Sequence, residues 1–235
     1  MFEKLDIFVA ASIFAGDFSK LGKEAEMIEK SGADAIHIDI MDGHFVPNLT
    51  LGPKAVMAIN KSTDLFLDVH MMTYNSFELI EDFVKAGADR ISIHFESTEN
   101  LEEMLQYIRK CNIEAGLAFS PETSFEFIPK FLTMIDYILI MTVNPGFCGQ
   151  QFLSKTLDKI AYTRSYCDKF NIQRFNKQNG KKEPFLIGVD GGIDNRTALE
   201  CVRAGANFLV SGSYLFNNQE GCMKDKVSFL HNIGE

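Results

Sequence analysis

Eight short apolar or β-branched segments alternate with eight longer amphipathic segments along the 235 residues of the chain. This alternation predicts a parallel sheet whose strands are joined by helical crossovers. Several of the short segments, such as residues 136–141, are nearly continuous apolar runs, as burial on both faces of a sheet requires. The chain is therefore predicted to be an α/β protein, a single (β/α)8 TIM barrel domain spanning residues 1–235. The predicted strands are residues 7–12, 34–41, 65–71, 89–94, 114–118, 136–142, 185–190 and 207–211, and the predicted helices are residues 18–31, 53–60, 76–86, 100–111, 124–131, 152–170, 195–204 and 220–231.

A recurring tripeptide supports the barrel. Gly-Ala-Asp occurs at residues 32–34 and 87–89, and Gly-Ala-Asn occurs at residues 205–207. Glycine suits the left-handed residue that ends a helix. The separations of 55 and 118 residues are close to two and four βα units of about 29 residues each. The three tripeptides are therefore predicted to precede strands 2, 4 and 8.

Charge and composition exclude several classes of partner. A formal net charge of −9 disfavours nucleic acid and anionic membranes. No segment approaches 18 uninterrupted apolar residues, so no membrane span is predicted. Residues 1–4 carry an acid and lack the layout of a signal peptide. The five cysteines are scattered, odd in number and without a C-x-x-C pair, which indicates reduced thiols and a cytoplasmic protein.

One polar stretch of low hydrophobicity interrupts the pattern at about residues 171–183, between the sixth predicted helix and the seventh predicted strand. Its basic run could contact nucleic acid, but its composition favours a solvated loop. The stretch is therefore predicted to be an exposed surface insertion.

Polar residues stand at the carboxyl ends of three predicted strands, where barrel enzymes place their active sites. Strand alternation places His37 and Asp39 on one face of strand 2, while His70 ends strand 3 and Asp190 ends strand 7. Each could be an interior polar residue with a hydrogen-bond partner. A divalent metal ion, however, would compensate both buried carboxylates at once, and two His with two Asp suit Zn, Fe(II), Mn or Co equally. His94 and Glu96, at the end of strand 4, are predicted to support neighbouring ligands rather than to act directly in catalysis.

Glycine-rich segments follow the last three predicted strands, at residues 144–150, 191–192 and 211–213. Glycine lets the backbone approach an anion, and helix starts offer free N–H groups. The loops after strands 7 and 8 are the usual phosphate site of these barrels. Because the segments contain no Lys or Arg, backbone amides are predicted to hold a phosphate despite the acidic net charge.

Four motifs resemble those of one family. Residues 37–48, HIDIMDGHFVPN, closely resemble the signature of ribulose-phosphate 3-epimerases, as do residues 68–72, residues 143–147 with 149–150, and residues 189–192. The resemblance runs from about residue 7 to residue 217. It implies a TIM barrel of the ribulose-phosphate-binding type. It also implies a metal-dependent isomerase of the pentose phosphate pathway, which inverts C3 of a ketose phosphate and interconverts D-ribulose 5-phosphate and D-xylulose 5-phosphate.

The resemblance also implies roles for individual residues. Asp39 and Asp190 would form the catalytic acid/base pair and, with His37 and His70, would hold one divalent metal ion. Met41, Met72 and Met141 would line the reacting carbons. The residues implied to contact the substrate are Ser12, His70, Gly146, Phe147, Cys148, Gly149, Asp190, Gly191, Gly192, Gly212 and Ser213.

The chemistry of epimerisation fits such a pair. The C3 proton must leave from one face and return on the other, through a 2,3-enediolate. Two groups on opposite faces serve this inversion best, with one acting as base while the other acts as acid. Asp39 and Asp190 are expected on well-separated strands of an eight-stranded ring.

Three alternatives remain open. Residues 141–143 and 215–217 also resemble the allulose-6-phosphate 3-epimerase branch, and Ala11, Ser120 and Cys148 depart from the usual family pattern. A phosphosugar lyase or decarboxylase on the same barrel is disfavoured, because its D-x-K-x-x-D pattern at strand 3 would have His70 and Thr73 in place of the Lys and the last Asp. A non-catalytic phosphosugar-binding protein would not need an acid pair. The exposed helix faces are compatible with a homo-oligomer.

Overall fold

The computed structural model describes residues 5–74, 77–176, 180–217 and 221–234. Eight parallel strands close into a barrel with the order β1-β10-β9-β6-β5-β4-β3-β2, and β7 and β8 form a separate antiparallel hairpin. The predicted fold class is confirmed. The strands are β1 (Phe8–Ser12), β2 (Ala35–Met41), β3 (Phe66–Met72), β4 (Arg90–His94), β5 (Glu114–Phe119), β6 (Tyr137–Met141), β7 (Gln173–Asn176), β8 (Lys181–Pro184), β9 (Leu186–Asp190) and β10 (Phe208–Ser211).

Helices connect the barrel strands and cover the outside of the barrel. They are α1 (Leu21–Ser31), α2 (Pro53–Asn60), α3 (Phe77–Ala86), α4 (Leu101–Lys110), α5 (Ile128–Phe131), α6 (Leu157–Lys169), α7 (Thr197–Ala204), α8 (Ser213–Phe216) and α9 (Met223–His231). Every helix in the described part of the chain falls short of the length and apolar character that crossing a bilayer requires.

Helix α4 shows why such segments are helical. Acidic residues occupy its first turn and basic residues its last turn, which complements the helix dipole. Its buried side chains follow the spacing of one helix face, which packs against the barrel. They are Leu101, Met104, Leu105 and Ile108.

Strand alternation sends neighbouring apolar residues to different cores. In β2, Ile36, Ile38 and Ile40 belong to the larger core between strands and helices, whereas Ala35 belongs to a smaller core inside the barrel. Full burial of an Ile side chain stabilises the fold by roughly 1.5–3 kcal/mol. The inward positions of β2 that remain are free to carry the polar residues His37 and Asp39.

The predicted strands match the observed barrel strands to within one residue at each end. The predicted helices differ more. The segments at 124–131 and 152–170 begin with 3₁₀ turns, at Phe125–Phe127 and Ser154–Thr156, before α5 and α6 start. The four-residue helix α8 was not predicted, because one turn is too short to show helical periodicity. Residues 76 and 220, where two predicted helices begin, lie outside the described residues.

A buried guanidinium lies inside the barrel near the amino ends of the strands. Arg90 is 2% exposed, and its Nη2 donates to Glu114 Oε2 at 2.7 Å, while its Nη1 lies 3.5 Å from Asp68 Oδ1. Its guanidinium carbon lies 4.0 Å from the ring centroid of Tyr137. Because a buried charge is tolerated only when it is paired, these partners hold the base of the barrel together.

The stretch predicted to be an exposed insertion, residues 171–183, contains most of a hairpin. Residues 173–176 pair with residues 181–184 in the β7–β8 hairpin, while residues 177–179 lie outside the described residues. Phe175 is exposed, but Arg174 is buried. The Arg174 guanidinium contacts Glu183 at 2.7 Å and Glu114 at 3.6 Å. The hairpin is therefore attached to the base of the barrel by an ion pair that joins positions distant in sequence.

Candidate active site

The four predicted metal ligands converge at the carboxyl ends of β2, β3 and β9. Asp39 Oδ1 lies 3.3 Å from His37 Nε2 and 3.0 Å from His70 Nδ1. Asp190 Oδ2 lies 3.5 Å and 3.7 Å from the same two nitrogens. One ligand atom from each residue lies within 4.8 Å of the others. The expectation that these side chains meet is confirmed.

Strand pairing explains the convergence. In the β2–β3 ladder, His37 is paired with Asp68 and Asp39 with His70, and strand alternation directs all four side chains inward. Strand β9 is separated from β2 by β1 and β10 on one side and by β3 to β6 on the other. Asp190 therefore enters the cluster from a different direction than Asp39.

Asp68 orients His37. Its Oδ2 lies 2.8 Å from His37 Nδ1. Burial favours the protonated acid, but Arg90 and His37 outweigh burial and lower the pKa of Asp68. An ionised carboxylate can only accept, so His37 Nδ1 donates the hydrogen bond. His37 Nε2, which is buried without a hydrogen-bond partner, then faces Asp39 and Asp190.

His70 belongs to a second polar chain. Its Nε2 lies 2.9 Å from His94 Nε2, and His94 Nδ1 lies 3.0 Å from Glu96 Oε2. Burial lowers the pKa of His94, which favours the neutral imidazole. For Glu96, burial favours the acid, but hydrogen bonds from His94 and from Thr123 outweigh it and lower the pKa to about 2. Glu96 is therefore an ionised carboxylate at neutral pH.

The cluster could hold a divalent cation. Burial favours protonation of Asp39, yet the imidazoles of His37 and His70 lower its pKa below the ordinary range. Burial opposes a charge on His37, yet the carboxylates of Asp39 and Asp190 raise its pKa well above the ordinary value. Two imidazole nitrogens and two carboxylate oxygens lie within 4.8 Å of one another, and this donor set fits a divalent transition metal.

A pocket lies above the cluster at the carboxyl end of the barrel. Asp39 and Asp190 reach it, whereas His37 and His70 lie beneath it and are fully buried. The predicted methionines also line the pocket, and all three are nearly buried. The remaining predicted substrate residues that line it are Ser12, Gly146, Phe147, Cys148, Gly149, Gly191, Gly192, Gly212 and Ser213.

Backbone loops form much of the pocket wall. Within the described residues, the pocket lining contains no Lys or Arg. At the start of α7, the Asp194 carboxylate already accepts from the amides of Arg196 and Thr197 at 2.8 and 2.9 Å. The start of α6 is likewise set back from the pocket-lining loop, which ends at Gln150. Amides of the glycine loops and of Ser213 remain available for an anion.

Hydrogen bonds that the sequence analysis missed fix these loops. Asn48 Nδ2 donates to the carbonyl of Gly146 at 2.8 Å, which joins the loop after β2 to the loop after β6. Thr142 Oγ1 donates to the carbonyl of Gly191 at 2.6 Å. The orienting role of Asp68 was also missed, although its i, i+2 spacing from His70 was a usable signal. Ser12 Oγ donates to Asp39 Oδ2 at 3.0 Å.

Comparison with known proteins agrees with this geometry. The sequence model of the ribulose-phosphate 3 epimerase family matches residues 8–216. The chain belongs to the ribulose-phosphate 3-epimerase family. It is therefore an isomerase, and the resemblance found in the motifs is confirmed.

Curated members of the family match along nearly their whole length. Ribulose-phosphate 3-epimerase of Chlamydia muridarum is 54% identical over 228 residues, which cover 97% of this chain and 96% of the relative. The Bacillus subtilis protein of the same name is 44% identical over 214 residues, covering 91% and 94%. A crystal structure of 3-hexulose-6-phosphate synthase aligns with a TM-score of 0.64 at 14% identity, covering 96% and 98%. That likeness concerns the fold alone.

Proposed function

We propose that this family member interconverts D-ribulose 5-phosphate and D-xylulose 5-phosphate by inverting C3, with Asp39 and Asp190 as the acid/base pair. One observation carries the proposal. Both carboxylates lie at the floor of one pocket, each within 3.7 Å of the same two imidazole nitrogens, and they come from strands on separated sides of the barrel. A ketose bound in the pocket would therefore meet one carboxylate on each face.

An ionised Asp39 can accept a proton from C3. Its lowered pKa keeps it charged at neutral pH, and Ser12 fixes one of its oxygens. Asp190, on the other side, would return a proton to C3 from the opposite face, and the roles exchange in the reverse reaction. A divalent ion held by His37, Asp39, His70 and Asp190 would supply Lewis-acid stabilisation of negative charge on the substrate oxygens. Zn, Fe(II), Mn and Co all suit the donor set.

The upper pocket accounts for the rest of the substrate. The amides of the glycine loops at 146–149, 191–192 and 212–213 would hold the phosphate. Met41, Met72 and Met141 would cover the reacting carbons and exclude water, since all three are at most 5% exposed. Excluding water protects the enediolate from side reactions.

Replacement of either carboxylate tests the acid/base pair. Asp39→Asn and Asp190→Asn should each lower turnover of ribulose 5-phosphate by at least roughly 10²-fold, the lower range for acid–base catalysis. NMR in deuterated water measures both turnover and loss of the C3 hydrogen. The exposed Asp64, before β3 at the opposite end of the barrel, provides a matched control, and Asp64→Asn should retain wild-type turnover. Near-normal turnover in either active-site variant would contradict the assignment.

The substrate is tested separately. After reconstitution with metal, kcat/KM should be higher for ribulose 5-phosphate than for allulose 6-phosphate. A higher kcat/KM for allulose 6-phosphate would make that six-carbon sugar phosphate the proposed substrate, and the acid/base assignment would be unchanged.

A further inference from the structure

Glu96 is held from two sides. It lies in the 3₁₀ turn Phe95–Ser97 that follows β4. Its Oε1 accepts hydrogen bonds from the Ser120 amide at 2.9 Å and from the Thr123 hydroxyl, and its Oε2 contacts His94 Nδ1 at 3.0 Å. One oxygen of the carboxylate is therefore committed to the segment after β5, and the other to His94.

The segment that holds Glu96 is itself anchored. Lys159, a buried residue of α6, donates from Nζ to the carbonyl of Ser120 at 2.6 Å. The His94 ring lies between two other rings, stacked on His70 at a centroid distance of 5.0 Å and packed against Phe45 at 4.6 Å. Neither end of the Glu96–His94 contact is free to rotate without disrupting these neighbours.

The partners fix the position of each proton in turn. Since the Glu96 carboxylate can only accept, His94 Nδ1 must carry its proton. The neutral His94 ring then has an unprotonated Nε2, which accepts from Nε2–H of His70 at 2.9 Å. His70 Nδ1 lies 3.0 Å from Asp39 Oδ1 and 3.7 Å from Asp190 Oδ2. A metal ion bound at Nδ1 would replace the hydrogen bond to Asp39 and leave the His70 proton on Nε2, where His94 accepts it.

We propose that Glu96 is a positioning residue that acts through His94 to fix His70 in the tautomer that presents Nδ1 to the metal. This inference rests on the proposed function in one respect, namely that His70 is a ligand. Ligand histidines commonly donate their second nitrogen to a carboxylate. Asp68 serves His37 directly in this way, whereas Glu96 serves His70 through an intervening imidazole.

The isosteric change Glu96→Gln should reverse the direction of each hydrogen bond from residue 96 through His94 to His70. The Ser120 amide needs an acceptor, so the glutamine oxygen faces Ser120 and its NH2 group faces His94 Nδ1. His94 must then accept at Nδ1 and donate from Nε2, which makes His70 accept at Nε2 and carry its own proton on Nδ1. That proton occupies the lone pair required for the metal.

The measurement is zinc affinity, by competition of the metal-free full-length protein with a chromophoric chelator. Glu96→Gln should raise the zinc Kd by roughly 10- to 100-fold, the range for groups that orient metal ligands. The matched control is Glu122→Gln, since Glu122 lies in the same segment but forms an exposed ion pair with Lys155. It should leave the Kd unchanged.

A second variant tests the route through His94. His94→Phe keeps a ring between Phe45 and His70 but cannot accept a hydrogen bond, so it should weaken zinc binding by a similar factor. Combining it with Glu96→Gln should add no further loss, because the two changes break the same chain. Imidazole ¹⁵N spectra of the zinc-loaded wild type should show His94 protonated at Nδ1.

The outcomes separate the two proposals. A Glu96→Gln protein that binds zinc within twofold of the wild type, while Asp39→Asn remains inactive, would overturn the role of Glu96 and leave the proposed function standing. Additive losses in the double variant would equally overturn the route through His94. A wild type that binds no divalent ion would overturn both the metal role of His70 and the inference built on it.

Discussion

Replacing Arg90 by Met should destabilise the barrel more than any exposed charge change. The guanidinium is 2% exposed and is paired with Glu114 at 2.7 Å and Asp68 at 3.5 Å. Methionine preserves much of the length and the contacts with the surrounding rings. Two buried carboxylates would nevertheless lose this partner, keeping only the 3.6 Å contact of Glu114 with Arg174 and the hydrogen bond of Asp68 with His37. Breaking a buried ion pair on one side costs about 3–5 kcal/mol. That is a large part of a typical free energy of unfolding, roughly 5–15 kcal/mol.

Urea unfolding of the metal-free protein, followed by circular dichroism, measures this loss. Lys85→Met is the control, because Lys85 forms an exposed pair with Glu81, and such pairs contribute only about 0–1 kcal/mol. Arg90 lowers the pKa of Asp68, so its contribution is complete above the unfolded value of about 3.9 and declines as the pH falls through the folded value. The difference in free energy of unfolding between the wild type and Arg90→Met should therefore be largest near neutral pH and should decrease in acid. A loss below about 1 kcal/mol at neutral pH would refute the claim that these carboxylates depend on Arg90.

Two further predictions concern the pocket and its support. Gly191 has φ +118°, and an added Cβ would lie 2.3 Å from Val143, whereas Gly149 has φ +75° and open space around it. In steady-state assays, Gly191→Ala should therefore raise KM for ribulose 5-phosphate at least several-fold more than Gly149→Ala does. Equal increases in KM would contradict the close packing of Gly191 against Val143. The Glu96 carboxyl should titrate near pH 2 in ¹³C NMR of the metal-free protein. The contribution of its hydrogen bonds to stability should therefore be fully present above pH 4.5 and should be lost as the pH falls toward 2. A midpoint at 4 or above would show that those hydrogen bonds are weaker than the geometry indicates.

The sequence was informative wherever one short segment determines the outcome. Barrel strands buried on both faces are continuous apolar runs, so their ends were predicted to within one residue. The spacing of His37 and Asp39 along a single strand was enough to place both on the inner face. The glycines of the pocket were likewise visible as clusters after strands.

The sequence was less informative where a role depends on a partner far along the chain. Arg174 lies in a polar stretch whose composition is that of a loop, and only its contact with Glu114 reveals that it is buried. The role of Asp68, and the route from Glu96 through His94 to His70, depend on which residues neighbouring strands bring together. The Asp194 carboxylate accepts hydrogen bonds from the amides of Arg196 and Thr197 at the start of α7. The positions of glycines and helix starts in the sequence do not show that these amides already have an acceptor.

The pairing of β2 with β3 gives the site a second significance. His37 stands opposite Asp68 and Asp39 opposite His70, so a slip of one residue in β2 would turn both of its ligands toward the helices and bring isoleucines inside. A metal ion that binds the four native ligands could not bind them in the shifted register, because His37 and Asp39 would point away from His70 and Asp190. The free energy of ion binding would therefore stabilise the correctly aligned barrel relative to the barrel with β2 shifted by one residue.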